Sequence, residues 1–73
     1  MKVTFQYKAG NEHGSDDYRF SQEEKAQEKF ESMKELIKVQ FIDCPDAEVV
    51  DESDFFGIID HSTSDWARVI ISE

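Results

Sequence analysis

The chain has 73 residues, of which 38% are hydrophobic and 12% aromatic, and 17 acidic against 8 basic residues give it a formal net charge of −9. A chain of this length has room for one hydrophobic core, so we expect a single acidic domain over residues 1–73. Its negative charge repels phosphate backbones and anionic lipid surfaces, which excludes direct binding of nucleic acid or membrane from the expected functions.

The compartment follows from the cysteine content and the apolar runs. Cys44 is the only cysteine in the sequence, so no disulfide can form within it. The first residues alternate in polarity and do not form an apolar leader. No apolar run approaches the roughly 20 residues of a membrane helix. We therefore expect a cytoplasmic protein with no membrane segment.

The first clear element is a strand over residues 2–8, where Val3, Phe5 and Tyr7 alternate with polar residues. Residues 9–17 are rich in Gly, Asn, Asp and Ser, which predicts a flexible connection. A second short strand carrying Tyr18 and Phe20 should follow it. Together these segments predict a hairpin with a long loop.

A helix is predicted to begin at Ser21, because Ser21 and Glu24 have the spacing of a capping box. Pro45 disfavours helical backbone at Cys44, so the helix should end near residues 41–43. Apolar residues recur at intervals of three and four and form one stripe, which Leu36 widens. The stripe consists of Ala26, Phe30, Met33, Ile37 and Phe41.

The remainder of the chain contains three apolar segments separated by two turn-like stretches. Residues 55–60 and 66–72 are predicted to form a second hairpin, in which Gly57 indicates a bulge or a close backbone approach. We therefore expect an α+β fold of order ββαββ or ββαβββ, with a small antiparallel sheet and one amphipathic helix packed on one face. The strand residues expected to meet the helical stripe are Val3, Phe5, Ile59 and Val69.

Charge is unevenly distributed along the chain. Residues 1–20 contain three bases and three acids, and residues 21–42 contain four lysines and five glutamates. The helix charges include three i,i+3 pairs of opposite sign, which support a solvated helical face. These are Lys25 with Glu28, Glu31 with Lys34, and Glu35 with Lys38. Residues 43–73 hold nine acids and one base, so −8 of the net −9 lies there.

Six acids fall between residues 43 and 54 with no base among them, and they are the candidate partner-binding residues: Asp43, Asp46, Glu48, Asp51, Glu52 and Asp54. One interpretation is that they occupy turns and edge strands, where acids are favoured and deter aggregation. The other is an anionic patch that imitates a phosphate backbone. On a strand, carboxylates at i and i+2 would lie about 6.7 Å apart on one face.

The residue types of catalytic and metal sites are present but poorly arranged. His61, Ser62, Ser64 and Asp65 resemble a hydrolase triad in composition only, because all lie within one predicted turn. Residues 51–54 lack the ligand spacing of a calcium loop. His13, His61 and Cys44 are not at zinc-ligand spacing. We therefore predict no catalytic residues, no metal, no cofactor and no enzymatic activity.

In size, acidity and mixed α/β make-up the chain is similar to small DNA-mimicking inhibitors carried by bacteriophages, including inhibitors of restriction, CRISPR and uracil-excision enzymes. The resemblance implies an inhibitor that occupies the basic nucleic-acid-binding surface of a protein or complex, working in the host cytoplasm if a phage encodes it. Two alternatives stay open: an immunity protein against a basic nuclease toxin, and a small accessory or structural domain that binds through the open face of its sheet. The expected partner is a basic protein, and the chain itself could be a monomer or a homodimer.

Overall fold

The computed structural model describes all residues from 1 to 73, as five strands and one helix. In chain order these are β1 (Lys2–Ala9), β2 (Glu12–Arg19), α1 (Glu23–Gln40), β3 (Ala47–Asp51), β4 (Phe55–Asp60) and β5 (Trp66–Ser72). The strands form one antiparallel sheet in the order β2-β1-β5-β4-β3. The predicted α+β class is confirmed, with ββαβββ as the observed order.

Helix α1 covers one face of the sheet, packing on β1, β5 and β4. This side is called the helix face and the other the open face. The buried core lies between α1 and the helix face, and its 11 residues are Val3, Phe5, Ala26, Phe30, Met33, Ile37, Phe56, Ile58, Ala67, Val69 and Ile71. The helix is not apolar enough to cross a membrane.

The apolar stripe of α1 is confirmed at four positions, since Ala26, Phe30, Met33 and Ile37 are buried. Phe41 is half-buried and packs against the same core from the helix C-cap. Leu36 does not widen the stripe, because 47% of its surface is exposed. The residue lies about 100° around the helix from Ile37 and so points away from the sheet.

The predicted inward residue of β4 was wrong. Ile59 pairs with Trp66 on the open face, whereas Phe56 and Ile58 are buried under the helix. Because β4 is apolar on both faces, polarity alone did not show which residues point inward.

Gly57 keeps the register of its neighbours, so no bulge forms there. Instead the Phe55 ring lies over it, and a Cβ added at Gly57 would be 3.1 Å from that ring.

The predicted long loop between the first two strands is also wrong. Strand β2 runs from Glu12 to Arg19, and only Gly10 and Asn11 separate it from β1. Gly10 has φ +62°, the left-handed backbone that glycine adopts without strain. Residues 12–17 of β2 are polar because this part of the edge strand is largely exposed, so it lacks the alternation that reveals a half-buried strand.

The capping box at Ser21 does not form. The N-cap is Gln22 with extended backbone, and no side chain caps it. Phe20 is tied to Met1 by two hydrogen bonds of 2.8 Å, one through its N–H and one through its carbonyl oxygen. These bonds hold Phe20 beside β1, and the helix begins one residue later than predicted. At its other end the helix stops at Gln40, one residue before the predicted range.

A cavity at Phe30 should remove much of the stability of the domain, because this ring is 1% exposed at the centre of the helix face. We expect Phe30→Ala to lower the free energy of unfolding by about 3 to 5 kcal/mol. Leu36→Ala on the same helix is the matched control and should change it by less than about 1 kcal/mol. Urea unfolding of both variants measures the difference, and similar losses would contradict the assigned helical face.

Candidate functional site: the β3 edge

Strand β3 is an outer strand of the sheet, and only β4 pairs with it. Residues 43–54, here called the edge segment, comprise β3 and the turns on either side of it. Of the six predicted partner-binding carboxylates, Glu48 and Asp51 lie on this edge strand, and the other four lie in the segments that lead into and out of it; the last of these, Asp54, accepts the Ile71 N–H through its carbonyl oxygen and so lies beside β5. They do not lie on one face, because Glu48 points to the open face and Asp51 to the helix face.

The predicted phosphate-like spacing of two carboxylates on one face of a strand is not found. Asp46 precedes β3, and Glu52 and Asp54 follow it, so neither the Asp46 and Glu48 pair nor the Glu52 and Asp54 pair lies within one strand. Two of the six carboxylates lie on β3 itself, and four lie in the segments before and after it. Whether they bind a partner stays a prediction.

Two of the six carboxylates have a basic side chain as neighbour, a lysine in one case and a histidine in the other. Asp51 Oδ1 lies 3.4 Å from Lys34 Nζ, and Glu48 Oε1 lies 3.0 Å from His61 Nε2. The other four make no salt bridge and no side-chain hydrogen bond; these are Asp43, Asp46, Glu52 and Asp54. The edge segment therefore presents mostly uncompensated negative charge to solvent.

Lys34 joins the edge segment to the helix. Its side chain is only 15% exposed, and its Nζ lies 5.7 Å from the Phe30 ring centre and 5.6 Å from that of Phe56. The same Nζ is 3.7 Å from Glu31 and 3.4 Å from Asp51. Sequence reasoning predicted the Glu31 pair from its i,i+3 spacing and missed the Asp51 pair, because nothing local indicates a contact 17 residues away.

The helix charges are compensated to a greater degree than those of the edge segment. The three predicted pairs are present, joining Lys25 with Glu28, Glu31 with Lys34, and Glu35 with Lys38 at 3.4 to 3.9 Å. Such exposed pairs contribute little stability each. They place a lysine beside three of the helix glutamates, whereas in the edge segment only Asp51 has a lysine partner.

Asp60 is the buried carboxylate that holds the start of the edge segment in place. Its Oδ1 accepts hydrogen bonds from Ser62 Oγ at 2.6 Å and from Ser62 N–H at 2.9 Å. These bonds lower the pKa of Asp60, and burial opposes them more weakly. Asp60 pairs with Ala47 across the sheet, and the N–H of the following residue, His61, donates to the carbonyl oxygen of Asp46. An acid followed two residues later by serine in a turn was the sequence signal for this role.

The triad-like residues do not assemble. His61 contacts Glu48, Ser62 contacts Asp60, and Thr63 Oγ1 accepts the Asp65 N–H at 3.2 Å. Cys44 lies beside Asp60, and desolvation, followed by the hydrogen bond and charge of Asp60, raises the pKa of its thiol. A raised pKa means less thiolate at neutral pH, the opposite of an activated nucleophile. No three His, Cys, Asp or Glu side chains are grouped to hold a metal ion.

The open face offers a second, different surface. Trp66 is half-buried there, with the Arg68 guanidinium 4.9 Å from its ring centre. Phe55, Ile59 and Val50 help to line a shallow depression of about 300 Å³ beside these two residues. Arg68 is held in position by Gln6, which accepts a hydrogen bond from its Nε at 2.7 Å. This surface is the apolar alternative to the edge segment.

Comparison of the chain with models of known protein families, with curated proteins and with solved structures found no match. Functional inference therefore depends on the residues of the site themselves.

The lowered pKa of Asp60 predicts a pH-dependent contribution to stability. A carboxyl group whose pKa is lower in the folded than in the unfolded state stabilises the fold above the unfolded value, about 3.9, and loses that effect as pH falls through the folded value. We expect Asp60→Asn to be less stable than the wild type at pH 7, and the difference to shrink below about pH 4. Thermal melting from pH 7 to pH 2.5 tests this, and a constant difference would contradict it.

Proposed function

We propose that this chain is a non-enzymatic interaction protein that binds a basic partner through the carboxylates of the edge segment. The proposed partner is a nucleic-acid-binding enzyme or complex, and the chain would inhibit it by occupying its basic groove. The observation that carries the proposal is a set of six carboxylates on and beside an unpaired sheet edge, four of them without a side-chain partner.

Electrostatics supports this choice of partner. Uncompensated carboxylates on one edge create a directional negative field, which steers association with a positively charged surface and repels nucleic acid and other acidic proteins. A phosphate-binding groove is the common cellular surface with the required density of Lys and Arg. A phage inhibitor of a defence enzyme and an immunity protein against a basic nuclease would both use this chemistry.

The open face supports a second candidate, an accessory domain that binds through Trp66 and its neighbours. The specific observation is the apolar depression beside a stacked Trp66 and Arg68 pair on a face that no helix covers. Tryptophan and arginine are enriched among residues that dominate binding energy. The two candidates require different surfaces, so charge reversal at the edge and truncation of Trp66 distinguish them.

Reversing three edge carboxylates should abolish partner binding without unfolding the domain. The test variant combines Glu48→Lys, Glu52→Lys and Asp54→Lys, and affinity capture from a lysate of the source organism, with mass spectrometry, measures retention of the partner. The matched control makes the same change of charge on the opposite edge strand β2, with Glu12→Lys, Asp16→Lys and Asp17→Lys. We expect the edge variant to lose at least about 90% of the captured partner, because each lost charge-assisted hydrogen bond contributes about 1.5 to 3 kcal/mol.

The control variant should retain most of the partner, and added duplex DNA should displace the partner from the wild type. Equal losses in both variants would show that net charge alone matters. Retention by the edge variant together with loss in Trp66→Ala would assign binding to the open face. Capture of an acidic protein, or of one that DNA does not displace, would contradict the proposal.

A further inference from the structure

Strand β3 has backbone hydrogen-bonding groups that no part of the chain uses. The His61 N–H donates to Asp46, and the Glu52 N–H donates to the Phe55 carbonyl oxygen. In an antiparallel ladder such hydrogen-bonded pairs recur at every second residue. The backbone groups of Glu48 and Val50 therefore point to β4, and those of Val49 and Asp51 point outwards. None of the backbone hydrogen bonds outside the regular ladders involves Val49 or Asp51.

The side chains of this edge are also unusually apolar for an exposed strand. Val49, on the helix face, is 55% exposed, and Val50, on the open face, is 41% exposed. An added strand would cover part of both valines, because cross-strand neighbours approach to about 5 Å. Free backbone groups and exposed apolar side chains on both faces are the features of a sheet edge that accepts another strand.

We propose that the partner docks by adding an extended basic segment to β3, as a sixth strand of the sheet. The proposal rests on the proposed function and specifies how the basic partner is held. Backbone groups of Val49 and Asp51 would pair with the added strand. Its apolar residues, all on one face, would cover one of the two valines. Its Lys or Arg residues, on the other face, would cover the second valine with their methylene stems and reach the flanking carboxylates.

Charge selects this occupant over a second copy of the chain. Pairing β3 with the β3 of a second copy would bring two segments of the same negative charge together, and like charges across a ladder destabilise it. A segment alternating Lys or Arg with apolar residues has complementary charge and the two-residue period of a strand.

The other sheet edge does not have this combination. Strand β2 also points alternate backbone groups outwards, including those of Ser15, because the Phe20 N–H donates to the Met1 carbonyl oxygen and fixes the same alternation. Its central sequence, from Glu12 to Asp17, contains no large apolar side chain. Strand β2 therefore provides a matched control edge.

The test uses the intact protein and an acetylated, amidated seven-residue peptide of alternating lysine and valine. We expect it to bind, and to slow amide hydrogen exchange at Val49 and Asp51 by at least about tenfold, because these N–H groups become hydrogen-bonded. Exchange at Val50, whose N–H already belongs to the ladder with β4, should change little. Nuclear magnetic resonance measures all three amides in one experiment.

Two further comparisons separate strand addition from simple attraction of charges. Val49→Pro removes one outward N–H and leaves the ladder with β4 intact, since an edge strand tolerates proline where its N–H faces solvent. It should weaken peptide binding about tenfold, the effect of one or two lost hydrogen bonds. Ser15→Pro on β2 should change it less than about twofold. A peptide with the same charges but D-valine at each valine should bind weakly to the wild type.

Each outcome either supports the proposal or overturns it. Failure of the lysine and valine peptide to bind would overturn it, as would binding without protection of Val49 and Asp51. Equal binding of the peptide with D-valine would show that charge attraction alone holds the peptide, and would overturn strand addition. In those cases capture of the basic partner and its loss on edge charge reversal would still support the proposed function, so the two failures are distinguishable. Should Val49→Pro unfold, the exchange measurement on the wild type decides the matter.

Discussion

One helix has to cover a sheet of five strands that is wider than the helix, and the rest of the structure depends on this difference in width. A helix with its side chains is about 10 Å wide, whereas five strands at about 4.8 Å spacing span roughly twice that width. Helix α1 therefore covers β1, β5 and β4, and the core is confined to the residues beneath it. The edge strands β2 and β3 extend past the covered area. That is why Val49 is exposed although it points to the helix face.

The two edge strands of the sheet, β2 and β3, differ in amino-acid composition. Strand β2 is polar on both sides, and it is tied to the helix by Tyr18, whose ring lies 4.2 Å from Lys29 Nζ. Strand β3 keeps two exposed valines and is flanked by acids. The Lys34 contact with Asp51 ties β3 to the helix, and the turn held by Asp60 fixes its other end. The β3 edge is thus positioned by both halves of the fold while its outer side stays unpaired.

The elements that sequence reasoning found are those with a strong period. Helix α1, β1 and the β4 and β5 hairpin all present one apolar face or a β-branched run, and the hairpin bounds were correct at residues 55–60 and 66–72. The second strand was predicted at Tyr18 but too short, because the exposed first part of β2, residues 12–17, has no apolar face. The capping box failed because the tie between Phe20 and Met1, a contact across the chain, overrode a local preference. The acids of the site were visible in the sequence, and turns and edge strands were one of two interpretations of them. The sequence could not identify β3 as the edge strand, since strand order arises from pairing between distant segments.

The central claim is that under-compensated carboxylates at the β3 edge attract a basic partner, and the rate of association tests it most directly. Between about 0.05 and 0.5 M salt the Debye length falls from about 14 to 4 Å, so attraction at a distance is largely screened. Stopped-flow measurement of association with the captured partner should show a fall in rate of at least about tenfold over this range, with a much smaller change in the dissociation rate. An association rate independent of salt would contradict the account.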